Sequence, residues 1–488
     1  MKKYIINALT VLALAGGMTS CGDDYLDTDI YNGIDLETGL TNASNISIAL
    51  NGTYYQFMRY QFTGNDAVSI GDVVSDISYW NGSTGHWNNL YEFSYQDTDS
   101  YLSNIWEYGY KVADNAARII KAVNEISGDA TAAEKEELEL AKAEAYALRA
   151  YAHFYLVNVF AHQVKVNGTD FSSKTGIVVI DEPVPAFTDV TRSTVGQTYT
   201  AIQSDLSQAL SIFNSVGDRG TKTYLGKASV EGLLARVNLY LENWGEAANY
   251  AQQALNDAKS PAIAYTGADF QSLYQNSTSN SESLFYVAIN ATTNFSANSC
   301  GTLWSTYSFS PSPYLKSLFA EGDARLSVME MDPDTSTDDV PFYNGGKFHH
   351  YESGNSAYQT NYLINAPEMY LIIAEAQLKQ GNEAAAKSAL LNVAKRNPAI
   401  QSEADITGDV LQFIKDERAR ELFQEGHRLY DLRRWGQPAN VTAYGAPAID
   451  YEFKNFNISE LVFPIPVAEI NAGFGVTQND EWPSVMPK

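Results

Sequence analysis

The most distinctive stretch of this 488-residue chain is DERARELFQEGHRLYDLRRWG, residues 416–436. Its composition predicts a helix crowded with Arg and Glu, a break at Gly426 and a second short helix. Guanidinium groups pair bidentately with carboxylates, so the arginines could bind an anion or form an ion-pair network that locks the C-terminal helices in place. The interleaved apolar residues need burial and favour the network. The expected pairs join Arg418, Arg420 and Arg428 to Glu417, Glu421, Glu425 or Asp431.

Four further segments carry apolar residues at helical spacing. They cover residues 42–60, 101–126, 132–160 and 194–213. Residues 66–99 interrupt the pattern with Gly, Asn, Ser and aromatic residues. We expect a long structured loop there.

Two helix pairs, in residues 225–258 and 367–398, share the spacing of their small residues. Small residues at these separations let antiparallel helices approach closely, and the spacing resembles the tetratricopeptide repeat. Generic packing of Ala-rich hairpins is the alternative. Trp244 and Gly381 are expected in the turns between the helices. The small residues are Ala235, Ala247 and Ala254 in the first pair, and Ala374, Ala386 and Val393 in the second.

Residues 265–365 separate the two pairs and are rich in Ser, Asn, Thr and aromatic residues, with one expected strand at 283–289. A weakly periodic stretch of this length is more typical of a functional lobe than of a connection. We therefore predict a mostly α fold, with a tetratricopeptide-like helix-hairpin scaffold and a large irregular, loop-rich inserted lobe. The scaffold comprises residues 41–264 and, together with a closing segment, residues 366–488.

The N-terminus has the features of an export signal. Two lysines precede an apolar run at residues 4–15, and small residues lead to Cys21. Residues 1–20 are therefore expected to be a signal peptide, and 21–40 a polar tether. The position of Cys21 resembles the lipobox of bacterial lipoproteins, in which the thiol is acylated; an ordinary signal peptide with an incidental cysteine is the alternative. The acidic residues that follow resemble the surface-export signal of Bacteroidetes lipoproteins.

The composition limits the partners of this chain. It has 58 acidic against 32 basic residues and a net charge of −26, which argues against nucleic acid or an anionic membrane surface as a partner. The expected membrane contact is the N-terminal lipid alone. Cys300 is the only cysteine besides Cys21, so no intramolecular disulfide is expected after lipidation.

Residues 416–436 closely resemble the hallmark of the SusD/RagB family of Bacteroidetes outer-membrane lipoproteins. Residues 24–27 (DYLD) resemble the mature start of the family, and FPIP at 463–466, with EIN at 469–471 and QN at 478–479, resembles its closing segment. The resemblance implies four tetratricopeptide-like helix pairs and a second lobe that carries the ligand site. It also implies a non-enzymatic, lipid-anchored protein facing the cell surface. Such a protein captures oligosaccharides, or peptides in some branches, over a SusC-like TonB-dependent transporter.

Sugars present apolar C–H faces and a rim of hydroxyls, so a site for them needs flat aromatic rings with Asp, Asn or Arg nearby. The predicted loop at 66–99 supplies this mixture, and the resemblance adds aromatic residues of the inserted lobe. The alternative is that these tryptophans pin the loop to the scaffold. The predicted ligand-binding residues are Asp76, Tyr79, Trp80, Asn81, Trp87, Asn88, Trp304 and Tyr307.

No catalytic or metal motif is recognisable in the sequence, and no cofactor is expected. The acidic loop at 332–339 could attract calcium, but Thr337 stands where an EF-hand needs Gly and Tyr343 where it needs Glu. A solvated loop is therefore the better interpretation. Two carboxylates suffice for a glycosidase, so a surface glycan hydrolase stays open, as does a tetratricopeptide adaptor for other proteins.

Overall fold

A computed structural model describes residues 39–437, except 129, 335, 337–342 and 359, together with 461–480 and 482. The predicted signal peptide, Cys21, most of the tether and residues 24–27 lie outside these residues.

The described chain is mostly helical, in agreement with the predicted fold class. The helices are α1 (Ala43–Met58), α2 (Asp66–Val73), α3 (Asn88–Tyr91), α4 (Ser100–Ile126), α5 (Ala132–Phe160), α6 (Val195–Val216), α7 (Lys227–Tyr240), α8 (Trp244–Asp257), α9 (Gly267–Ser272), α10 (Cys300–Thr302), α11 (Pro313–Ser317), α12 (Ala366–Lys379), α13 (Glu383–Ala394), α14 (Val410–Glu421), α15 (Arg428–Trp435) and α16 (Val467–Ala472). A π-helical turn, Leu303–Tyr307, continues α10.

Side-chain caps explain why the long helices begin where they do. Thr131 and Glu134 form a capping box at the start of α5, and Thr194 and Gln197 form one at the start of α6. Each box satisfies backbone groups that the first turn of a helix leaves without partners. The predicted segments 101–126, 132–160 and 194–213 correspond to α4, α5 and α6, with small shifts at the ends.

The two predicted helix pairs are confirmed as hairpins, α7 with α8 and α12 with α13. Although they are more than 100 residues apart in sequence, they stack directly, because α8 packs against α12. Their small residues are fully buried at the helix contacts. Gly381 adopts φ +83° in the second turn, as expected, whereas Trp244 begins α8 and does not lie in the turn.

Short strands form three two-stranded sheets in the described residues. The strands are β1 (Ser78–Trp80), β2 (Lys165–Val166), β3 (Thr169–Asp170), β4 (Ser283–Val287), β5 (Phe309–Pro311) and β6 (Asn361–Asn365). The pairs β1–β5, β2–β3 and β4–β6 are all antiparallel. The predicted strand at 283–289 is β4, and its partner β6 leads straight into α12.

The expectation of a continuous loop over residues 66–99 was wrong in part. This stretch contains the helix α2, the strand β1 and the single turn α3. Every residue of α2 is buried, polar residues included, so the helix lacks the two-faced pattern on which a sequence prediction depends. A Cβ at Gly71 would stand 2.1 Å from the carbonyl oxygen of Gly426, which shows how closely α2 approaches the C-terminal motif.

Candidate functional site

The C-terminal motif holds the stretch 66–99 against the scaffold. The Arg428 guanidinium donates two hydrogen bonds to the Asp76 carboxylate, at 2.7 and 2.9 Å. Asp72 accepts from the backbone N–H groups of Gly426 (3.0 Å) and Arg428 (3.2 Å). Burial raises the pKa of Asp72 to about 7. Asp76 is only 4% exposed and its carboxylate is the partner of Arg428, so the structure gives the predicted contact of Asp76 with a ligand no support.

Arg418 and Arg420, the other two arginines expected in ion pairs, confirm that interpretation. Arg418 pairs with Asp431 at 2.7 Å, and Arg420 pairs with Glu417 at 2.6 Å. The partner of Arg428 was not among the expected ones, because Asp76 lies 352 positions away in sequence. Arg418 and Arg428 are buried and engaged in these pairs, which favours a structural role over anion binding.

Pairing of β1 with β5 brings the two regions singled out in the sequence together. Trp80 lies opposite Phe309 and Tyr79 opposite Ser310, and the backbone N–H of Asn81 donates to the carbonyl of Ser308 at 2.8 Å. The inserted lobe therefore stands beside the N-terminal stretch.

Partly exposed aromatic residues lie beside the paired strands β1 and β5. The indole N–H of Trp80 donates to the carbonyl of Thr84 at 3.0 Å, which holds the half-buried ring in place. His86 stacks on Tyr307 with ring centroids 4.5 Å apart and planes 6° from parallel. The Ser83 hydroxyl donates to the Tyr307 carbonyl. We call Trp80, Ser83, Thr84, His86 and Tyr307 the loop–lobe rim.

The strand geometry explains which predicted residues reach this rim. Successive side chains of a strand point to opposite faces. Trp80 is half-buried at the surface, and its neighbours Tyr79 and Asn81 are buried. Asn88 is half-buried at the start of α3. Ligand contact by Trp80, Asn88 and Tyr307 therefore stays a prediction. The side chains of Tyr79 and Asn81 are buried in this structure.

The other two predicted tryptophans are packing residues, each about 1% exposed. Trp87 stacks on Tyr101 with ring centroids 4.2 Å apart. Trp304 meets Phe423 of the C-terminal motif edge-on at 5.3 Å. Neither ring has a face open to a ligand in this structure, and this burial favours the alternative that such rings pin the loop to the scaffold.

His86 is the one ring of the rim that the sequence prediction did not select. Histidine is a weak signal for a sugar site, because its type alone does not distinguish a stacking ring from a solvated surface residue. Its exposed ring is placed by Tyr307 on one face, and its Nδ1 lies 3.5 Å from the Tyr101 hydroxyl.

A groove of about 560 Å³ lies away from all the predicted ligand residues. Several of its polar side chains are already engaged: Trp106 donates to Glu469, and Lys111 pairs with Glu107. Its lining includes Trp106, Tyr110, Val184, Phe187, Glu469 and Phe474. Despite its size, we place the candidate site at the rim, because the rim joins partly exposed ring faces to hydroxyl and imidazole groups and contains the predicted residues Trp80 and Tyr307.

Metal-binding geometry is absent from the part of the chain that the structure describes, which holds no group of three His, Cys, Asp or Glu side chains suited to a metal ion. Half of the acidic loop at 332–339 lies outside that part.

Two family models match the sequence. Residues 24–239 match a SusD-like family described as starch-binding and associating with the outer membrane, and residues 331–482 match the SusD family. The chain belongs to the SusD/RagB family. This family is one of carbohydrate-binding proteins that associate with the outer membrane. The second match includes residues 416–436, so the motif and the assignment agree. No curated protein sequence matches this SusD-family chain.

Solved structures share the fold. A SusD superfamily protein from Bacteroides thetaiotaomicron is 22% identical, with a TM-score of 0.79, over 90% of this chain and 99% of its own. A putative sugar-binding protein from Bacteroides vulgatus is 24% identical, with a TM-score of 0.78, over 91% and 99%. A SusD-like carbohydrate-binding protein from Bacteroides vulgatus is 21% identical, with a TM-score of 0.68, over 83% and 85%.

Among the described residues of the present chain, no helix has the length and apolarity needed to cross a membrane.

Proposed function

We propose that this SusD-family protein captures oligosaccharides on the loop–lobe rim and passes them to a SusC-like TonB-dependent transporter of the outer membrane. In this proposal the chain is anchored to the outer membrane by a lipid on Cys21, faces the cell surface and catalyses no reaction. The observation that carries the proposal is the stacked His86–Tyr307 pair beside the half-exposed indole of Trp80.

The chemistry of the rim suits a sugar ring. Aromatic faces pack against the C–H face of a pyranose, while hydroxyl and imidazole groups exchange hydrogen bonds with its hydroxyls. In the loop–lobe rim, Ser83 is exposed and Thr84 is half-buried. Strand pairing and the stack fix the positions of Trp80 and Tyr307 before binding, so little side-chain entropy is lost when a ligand arrives.

We expect a dissociation constant in the micromolar to millimolar range, corresponding to roughly −4 to −8 kcal/mol. Weak binding suits delivery to a transporter, because a slowly dissociating ligand would delay import. A nanomolar affinity for a soluble glycan would contradict delivery of this kind.

The test is affinity gel electrophoresis of residues 22–488 through soluble polysaccharides, with amylopectin among them. Trp80→Ala and Tyr307→Ala are each expected to reduce retardation strongly, because each removes a ring of the rim. Phe187→Ala is the matched control, since that ring is 88% exposed and lies in the other groove. Retardation of both rim variants equal to that of the wild type would overturn the site, and release of sugar products would indicate a hydrolase. No retardation by any glycan would overturn the oligosaccharide proposal and favour peptide ligands.

A further inference from the structure

A second cleft lies between the first helix and the inserted lobe. It measures about 330 Å³, at the lower end of the range of about 300–1,000 Å³ for small-ligand pockets. Helix α1 forms one wall, β4 forms the other, and residues 223–224 close one side. We call it the seam cleft; its lining includes Asn51, Tyr55, Met58, Tyr224 and Tyr286. It shares no residue with the loop–lobe rim.

Tyrosine rings in the seam cleft are open to solvent and held in place. Tyr55 is 51% exposed, and Tyr224 is half-buried. Tyr54 meets the ring of Tyr224 edge-on at 4.9 Å and is itself fixed, because its hydroxyl accepts from the backbone N–H of Leu225. Arg219 lies 4.5 Å from the centre of the Tyr224 ring. The cleft therefore presents ordered ring surfaces. Holding an exposed side chain in one conformation costs conformational entropy, and the ring contacts offset that cost.

Polar groups with spare hydrogen-bonding capacity surround these rings. Arg59 donates to the Tyr55 hydroxyl at 2.8 Å and to Gln61 at 3.3 Å. No carboxylate of a described residue pairs with Arg59, so its other N–H groups can serve a ligand. The exposed Asn51 side chain lies 3.5 Å from the Tyr224 hydroxyl.

The aromatic surface continues past the cleft toward the lobe. The Arg59 guanidinium stands 5.5 Å from the ring centre of Tyr55 and 5.8 Å from that of Tyr60. Tyr60 in turn contacts Phe295 of the lobe, with ring centroids 6.0 Å apart. A row of rings with a guanidinium between them is suited to an extended ligand with several flat apolar faces.

We propose that the seam cleft is a second oligosaccharide-binding site, with Tyr55 as its stacking ring and Arg59 and Asn51 as its hydrogen-bonding groups. This inference rests on the proposed function, because it assumes that the ligand of the chain is a glycan. Two sites on one protein engage a long glycan more tightly than a short one, since the second contact is intramolecular.

The test compares Tyr55→Ala with the rim variant Trp80→Ala/Tyr307→Ala by calorimetry, using the polysaccharide that the wild type retains and its fragments of about two to three sugar units. Tyr55→Ala is expected to weaken binding of the long glycan about tenfold, equivalent to ~1.4 kcal/mol. It is expected to leave binding of the short fragment to the rim unchanged. The rim variant should keep weak binding to the long glycan, and adding Tyr55→Ala should remove it.

Tyr265→Ala is the matched control, since Tyr265 is 42% exposed and lies outside the seam cleft. Arg59→Gln is a second probe, expected to weaken long-glycan binding while leaving the melting temperature unchanged. Wild-type affinity of both Tyr55→Ala and Arg59→Gln for the long glycan, with binding abolished by the rim variant, would overturn the second site and leave the rim intact. A wild type that binds no glycan would overturn both proposals.

Discussion

Replacing Asp76 with Asn tests whether the C-terminal motif holds the stretch 66–99 through one buried ion pair. Asp76→Asn keeps the shape of the side chain and removes its charge. The side chains of Asp76 and Arg428 are each 5% exposed, and two hydrogen bonds of 2.7 and 2.9 Å join them. Without the carboxylate, the guanidinium remains charged and buried, and breaking such a pair costs about 3–5 kcal/mol.

That cost corresponds to a measurable change in melting temperature. Unfolding entropy is about 2.1 cal/mol/K per residue, which for 488 residues gives about 1 kcal/mol/K. Asp76→Asn is therefore expected to lower the melting temperature by about 3–5 °C, measured by circular dichroism. Glu107→Gln is the control: it removes an ion pair whose side chains are 44% and 58% exposed, and such pairs are worth about 0–1 kcal/mol.

A double-mutant cycle with Arg428→Met separates the pair from its surroundings. Removing both partners leaves no buried charge, so the double variant is expected to lose little more stability than the less stable single variant. A melting temperature of Asp76→Asn within 1 °C of the wild-type value would show that this pair does not anchor the stretch. The same conclusion would follow if the losses of the two single variants simply added in the double variant.

Two other buried groups give predictions of a different kind. Arg434 holds the Glu375 carboxylate at 2.6 Å and lowers its pKa to about 2, against an ordinary value of 4.5. The ionised carboxylate therefore contributes about 3 kcal/mol to the free energy of unfolding above pH 4.5, and this contribution is lost as the pH falls toward 2. Glu375→Gln should therefore be less stable than the wild type at pH 7 and show a shallower loss of stability below pH 4.5; parallel acid-unfolding curves of the two proteins would contradict this. Burial raises the pKa of the Cys300 thiol to about 12, so in residues 22–488 it should resist alkylation by iodoacetamide at pH 8 and react fully in guanidinium chloride, as mass spectrometry would show. Fast labelling of the folded protein would mean that Cys300 is accessible.

The helical scaffold was predictable because its signals are local. In α5 the capping residues Thr131 and Glu134 and the apolar spacing that follows lie within one segment, and the predicted range 132–160 matches the helix. The small residues of the two hairpins could likewise be aligned without knowledge of what separates them. Helix α2 could not be predicted in this way, because its burial on all sides comes from partners elsewhere in the chain.

The sequence by itself determined the family, the helical scaffold and the kinds of residue offered to a ligand. Helix caps, apolar periodicity and the Arg–Glu motif each depend on residues that are close together in sequence. Only the tertiary structure decided which of those residues are open to a ligand. Trp80 and Trp87 are the same residue type seven positions apart, yet the pairing of β1 with β5 leaves the first half-exposed, and stacking on Tyr101 buries the second. Asp76 is a residue type that binds sugars, but in the folded chain its carboxylate is paired with Arg428, which is distant in sequence. Burial and pairing are properties of contacts between remote segments, and those contacts exist only in the folded chain.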